Sequence, residues 1–187
     1  ILDEKNYSIT IEALGIDEKG TDILVTTFEG QKEHQQCKAR NASKEYWDIP
    51  DLKSRDIFCA WNEQLNRDDK RQVSLISPIG CSFLVDLHNR ACNTSGKAED
   101  FYFIQIGESS KEFRKFYRNF CTAMELNIES KDDILKSIDY LKRIYYKQIS
   151  EYELQECIDQ NINFLFSSEV KLVYDALVSF VIMGDIL

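Results

Sequence analysis

The segment Asp22–Lys38, DILVTTFEGQKEHQQCK, constrains this chain most. DILVTTF is rich in β-branched residues and alternates loosely, as a half-buried strand does. Residues 29–32, EGQK, make a short polar turn with a glycine, and EHQQCK reads as the returning strand, so the segment predicts a β-hairpin. Upstream, YSITIEAL (7–14) alternates polar and apolar residues, and GIDEKG (15–20) is a turn with glycine at both ends. Together they predict an antiparallel meander of three strands. Side chains alternate along a strand, so Gln36 and Lys38 face one way and Cys37 the other. Asp22 opens the first strand of the hairpin. A carboxylate, an amide oxygen and an ammonium therefore converge at one end of it. Hard cations are held by oxygens, and positive charge near a phosphate stabilises the negative charge that develops, which is what phosphodiester hydrolysis uses.

After the hairpin, ARNASKEYWDIP reads as a loop, with Tyr46 and Trp47 as packing anchors, and Pro50 starts a helix through DLKSRDIFCAWNEQLNR. QVSLISPIG (72–80) is a buried strand and CSFLVDLHNRACN a short helix, in which a lone His88 reads as structural. DFYFIQIG (100–107) has a strong strand pattern. A helix over ESSKEFRKFYRNFCTAMEL follows, with Ser109 or Ser110 as N-cap and a core stripe of Phe113, Phe116, Phe120 and Met124. Strands near residues 8, 22, 34, 72 and 101 give a mixed sheet flanked by helices. From about 127 the chain reads as three helices: ESKDDILKSIDYLKRIYYKQI, SEYELQECIDQNINFLF, and SSEVKLVYDALVSFVIMGDIL with Ser167 or Ser168 as cap and Glu169 in the first turn. They predict a small C-terminal helical bundle on an α/β (α+β) core, dividing the chain into residues 1–126 and 127–187.

The length of 187 residues and the 43% hydrophobic content suit one domain with an appendage and exclude a disordered tail. No run of about 18 apolar residues suggests a membrane span, and no signal peptide is visible. The chain starts on Ile1 and stops at Leu187, and both ends read as cuts from a longer protein. Six cysteines show no CxxC and no paired spacing with His34 or His88, so they read as reduced, mostly buried thiols rather than a zinc site. The net charge of −9 argues against a generic nucleic-acid binder. Basic residues nonetheless crowd the segment after the hairpin, at Lys38, Arg40, Lys44, Lys53 and Arg55. A second cluster, Lys111, Arg114, Lys115 and Arg118, reads as a solvated helix face. No P-loop sequence occurs in the chain.

Asp22…Gln36-x-Lys38 resembles the D…(E/Q)xK signature of the PD-(D/E)xK nucleases, in the version with Gln that is common in the Mrr-like branch. The longer stretch QCKARNASKEYW resembles more closely the double-stranded DNA endonuclease domain found at the N-terminus of bacterial antiviral STAND NTPases (Avs-type) and in CD-NTase-associated effectors. The likeness covers about two thirds of the chain. It implies a restriction-endonuclease-like core, normally preceded by a helix for which there is no room before Tyr7. It implies Asp22 as metal ligand, Gln36 as a neutral ligand or water-positioning group, the backbone carbonyl of Cys37 as a further ligand, Lys38 as the catalytic lysine and Glu12 as an upstream acid. Asp17 is a substitute for Glu12, though its turn sequence favours a turn role. The implied cofactor is Mg²⁺ or Mn²⁺. Arg40, Lys44, Lys53 and Arg55 are the DNA-binding candidates. The implied setting is cytoplasmic anti-phage defence, with double-stranded DNA cut at little sequence preference. NTPase and sensor domains would lie beyond Leu187, and the active form would be a homo-oligomer, dimer or tetramer. The alternative is a catalytically degenerate nuclease fold used for recognition or assembly.

Overall fold

A computed structural model describes residues 6–39, 44–165 and 170–184. Five strands, β1 (Asn6–Ile11), β2 (Ile23–Thr27), β3 (Lys32–Cys37), β4 (Arg71–Ser77) and β5 (Ile144–Gln148), form one sheet in the order β1-β2-β3-β4-β5. β1, β2 and β3 are the expected antiparallel meander, with Ile9 opposite Val25 and Val25 opposite Glu33. β4 then lies parallel to β3, and β5 parallel to β4. A parallel step needs a crossover. Helices α1 (Ile49–Ser54) and α2 (Ile57–Arg67) supply it between β3 and β4. The second crossover carries α3 (Ser82–Cys92), a π-helical segment (Asp100–Ile106), α4 (Lys111–Ala123) and α5 (Lys131–Arg143). Helices thus flank a mixed sheet, the α/β class that the sequence predicts.

Local chemistry sets several boundaries. Asp48 and Asp51 form a reciprocal capping box at the start of α1, with Pro50 in its first turn. The single helix expected after Pro50 is broken at Asp56, whose φ of 57° is left-handed. Ser110 caps α4, accepting from Phe113 N–H at 3.1 Å. Trp47, Phe58, Trp61, Tyr117 and Phe120 fill the core with Val73, Leu75, Leu141 and Ile144. Phe58 meets both Trp61 and Phe120 edge-on, at 5.7 and 6.0 Å between centroids.

Four expectations are corrected. Residues 100–107 are not a strand. The two buried residues of the π-helical segment, Phe101 and Ile106, stand five apart, the separation its i→i+5 hydrogen bonds join. Gly107 closes it because a Cβ there would sit 2.3 Å from the Phe103 carbonyl oxygen. The fifth strand is instead Ile144–Gln148, IYYKQ, within the stretch expected to be wholly helical. Its aromatic and β-branched residues pair with β4, so α5 and β5 belong to the core unit. That unit continues to Gln148, not 126, and the second unit, residues 149–187, carries two described helices, α6 (Glu151–Leu165) and α7 (Val170–Gly184). The expected cap at Ser167, Ser168 and Glu169 lies outside the described residues. The cysteines are not mostly buried: Cys81 and Cys121 are, whereas Cys37, Cys59 and Cys92 are exposed. No helix among the described residues is long and apolar enough to cross a membrane.

A buried polar cluster ties the meander to β4. The Arg71 guanidinium, 5% exposed, meets Asp17 at 2.7 Å, Gln64 Oε1 at 2.5 Å and His34 Nε2 at 3.1 Å. Arginine only donates, so Nε2 accepts, and Nδ1–H donates to Thr21 Oγ1 at 3.0 Å. Lys32 pairs with the other Asp17 oxygen at 2.6 Å. Burial alone would raise the Asp17 carboxyl, but hydrogen bonds from Lys32 and Arg71 outweigh it and hold it below the usual carboxylate range. Burial, then the Arg71 charge, push His34 down to about 4. Between about pH 6.5 and 4 the unfolded chain takes up a proton at this histidine that the folded chain refuses, so stability falls as pH falls through that window. We expect this to cost roughly 3 kcal/mol, and to shrink in His34→Gln. Urea unfolding at several pH values checks it. An equal pH slope in the variant would show that the loss arises elsewhere.

Candidate functional site

The site lies where β2 begins and β3 ends. The regular β2–β3 register stops at Ile23 opposite Gln35. One residue earlier, Asp22 N–H still donates to the Gln35 carbonyl at 2.9 Å, which is a shifted partner. The Asp22 side chain then takes up the next donor: Oδ2 accepts from Cys37 N–H at 2.6 Å. This is a carboxylate held by backbone, close to the strand it faces. Lys38, whose own N–H bonds Ile76 O at 2.9 Å, brings its Nζ to 3.9 Å from the same Oδ2. Asp22 and Lys38 therefore meet.

Gln36 faces inward and Cys37 outward, as alternation requires. Gln36 is 7% exposed, and its Oε1 has no hydrogen-bond partner. A buried carbonyl oxygen left unpaired costs about 1–3 kcal/mol, so this atom is a ready acceptor or ligand. Gly20 closes this side of the site. Its φ is 69°, and a Cβ there would lie 2.5 Å from Ala60 Cβ on α2 and 3.9 Å from Gln36 Nε2. The loop that carries Gly20 is held in turn by Gln64, whose Nε2 donates to the carbonyls of Ile16 and Lys19.

Glu12 is exposed with a left-handed φ of 51°, and its N–H donates to the Asp22 carbonyl at 2.9 Å. The fold thus brings its backbone beside Asp22. Asp17 is engaged by Arg71 and Lys32, so it is a turn anchor and not a site acid. Of the four DNA-binding candidates, Arg40 lies outside the described residues. Lys44 is committed within the protein, to Asp48 at 3.1 Å and Asp51 at 2.8 Å, because the capping box gathers two carboxylates beside it. Arg55 lies over the Trp47 ring at 5.0 Å, and Lys53 is exposed. Trp47 is the packing anchor expected, 1% exposed and donating Nε1–H to Ser77 Oγ at 2.9 Å. Tyr46 is exposed.

Asp22 and Gln36 offer oxygens of the kind a hard cation takes, one carboxylate and one unpartnered amide oxygen. Among the described residues no group of three or more His, Cys, Asp or Glu side chains gathers. Sequence reasoning missed Gly20, Gln64 and Arg71 as supports of the site. Arg71 carried a readable signal, a cation opening an otherwise buried strand. No family model, no curated protein and no solved structure matches this chain.

Gly20→Ala should destabilise the chain by about 1–3 kcal/mol, through both the left-handed φ and the overlap with Ala60. Chemical denaturation measures it. A variant as stable as the wild type would show that the loop does not pack on α2 as described.

Proposed function

We propose that this chain carries a metal-dependent DNA endonuclease domain of restriction-endonuclease-like fold, the cytoplasmic effector of a bacterial antiviral STAND NTPase. The observation that carries the reading is the meeting of Lys38 with Asp22 at 3.9 Å, on a strand whose Gln36 keeps a buried, unpartnered Oε1. The element order supports it as well: an antiparallel three-strand meander, then helices, then a strand parallel to β3.

Each residue has a chemical task. Asp22 supplies the charged oxygen, and the Cys37 N–H at 2.6 Å keeps it oriented before any ligand arrives. Gln36 supplies a neutral oxygen with no competing partner. A divalent cation held by these oxygens and the residue 37 carbonyl would act as a Lewis acid and lower the pKa of its bound water. Lys38 holds positive charge where a scissile phosphate would approach, so it stabilises the charge that builds in the transition state and orients the attacking water. Glu12 is the candidate for an additional acid. Arg40, Lys53 and Arg55 would steer the DNA backbone, aided by a second copy of the chain, since a double-strand cut needs one site per strand. A single neutral Gln in place of an acid also leaves room for the alternative, a degenerate nuclease fold used for recognition or assembly.

The test is nicking of plasmid DNA with Mg²⁺ or Mn²⁺ by the wild type and by Lys38→Ala. We expect the variant to lose about a hundredfold or more in rate. Its melting temperature should barely move, because a partly exposed ion pair contributes only about 0–1 kcal/mol. Equal cutting by the variant would end the catalytic assignment of Lys38. A wild type that binds DNA without cutting it under either metal would leave the degenerate module.

A further inference from the structure

Helix α3 places His88 and Cys92 four residues apart, on one face, at its C-terminal end. His88 Nδ1 lies 2.8 Å from the Leu141 carbonyl oxygen. A carbonyl only accepts, so Nδ1 carries the proton, and the neutral imidazole keeps its lone pair on Nε2. That lone pair faces Cys92 Sγ at 3.5 Å. The ring is anchored independently of the thiol. Leu141 sits in the last turn of α5, where carbonyls lack a helical partner, so His88 N–H satisfies a group the helix leaves open. The Tyr145 ring of β5, 5.0 Å from the imidazole, packs against it. A thiol, a base aimed at it, and a third group that fixes the base make up the signature of an activated nucleophile.

We propose that Cys92 and His88 form a nucleophilic thiol–imidazole pair, a covalent modification site for small disulfides and other soft electrophiles. Cys92 is exposed, so an electrophile reaches it. The other five thiols differ. Cys81 and Cys121 are buried, and burial pushes both up to about 12. Cys37 is exposed at its edge, but burial of the thiol and the Asp22 carboxylate raise it. Cys59 is also exposed and accepts from the Lys19 ammonium at 3.4 Å, a donor that stabilises its thiolate but has no lone pair to take the proton as an imidazole does. Cys157 is half-buried in the second unit.

With a disulfide the reaction balances without a further reagent. His88 Nε2 takes the Cys92 proton, and the thiolate attacks one sulfur of the incoming disulfide. That S–S bond breaks as the new one to Cys92 forms. The departing thiolate leaves with the electron pair and takes the proton from His88. Cys92 is oxidised to a mixed disulfide, and the incoming disulfide is reduced.

The experiment exposes the intact chain near neutral pH to oxidised glutathione and, separately, to iodoacetamide, and follows each cysteine by peptide mass spectrometry. Cys92 should react about tenfold faster than Cys37 and Cys157, and only its rate, not that of Cys59, should depend on the imidazole. In His88→Gln, which still donates to Leu141 O but accepts no proton, the Cys92 rate should drop about tenfold while that of Cys59 stays unchanged. Cys92 reacting no faster than Cys37 and Cys157 in the wild type overturns the proposal. So does an undiminished rate in a His88→Gln variant that is folded by circular dichroism. If that variant does not fold, the ranking of thiols in the wild type decides alone, in either direction.

Discussion

The meander stays in place because Arg71 is buried with its partners. A guanidinium taken out of water is costly unless each donor finds an acceptor. Arg71 finds them on three separate pieces of chain: Asp17 in the turn between β1 and β2, His34 on β3 and Gln64 on α2. Those pieces are therefore fixed relative to one another. Removal of any one partner would leave buried charge or an open donor, so the cluster specifies the arrangement more than it stabilises it. His34 must stay neutral for the arrangement to hold, and its burial, with Arg71 beside it, favours that form.

From that anchor the candidate site follows by short steps. The Asp17 turn leads to Gly20, which fits against Ala60 only because it lacks a Cβ. Thr21 joins His34, and the next residue is Asp22, set at the point where the hairpin register slips and a carboxylate can cap the Cys37 N–H. Gln36 and Lys38 follow on the partner strand. The polar cluster and the site share β3, the first through His34 and the second through Gln36, on one face of the same strand.

Much of the fold was legible. The meander, the start of α1, the capped start of α4, and β4 each carry a local signal: a β-branched alternation, a proline opening a helix, a serine before one, a short apolar run. DFYFIQI lacked such an arbiter. A short run with five apolar residues in seven suits a strand or a helix turn equally, and here Phe101 and Ile106 find the core at five-residue spacing. IYYKQ failed for the opposite reason. It continues the register of a good helix, and only the open edge of β4 draws it into the sheet. His88 and Cys92 show the same limit. Their i,i+4 spacing was passed over in the sequence as no pairing, because the carbonyl that turns the imidazole lone pair toward the thiol comes from Leu141, 53 residues away.

The sequence by itself determined which residue types were available at the hairpin, and that Asp22, Gln36 and Lys38 would stand near its open end, because strand alternation and a two-strand turn are local physics. Only the tertiary structure decided that Asp22 would be held by the Cys37 N–H, that Gln36 Oε1 would be buried without a partner, and that Lys44 would be drawn off to the α1 capping box. Those outcomes depend on which groups meet across the fold, and a hydrogen bond or an ion pair forms only when both partners have been carried to within about 3 Å of one another.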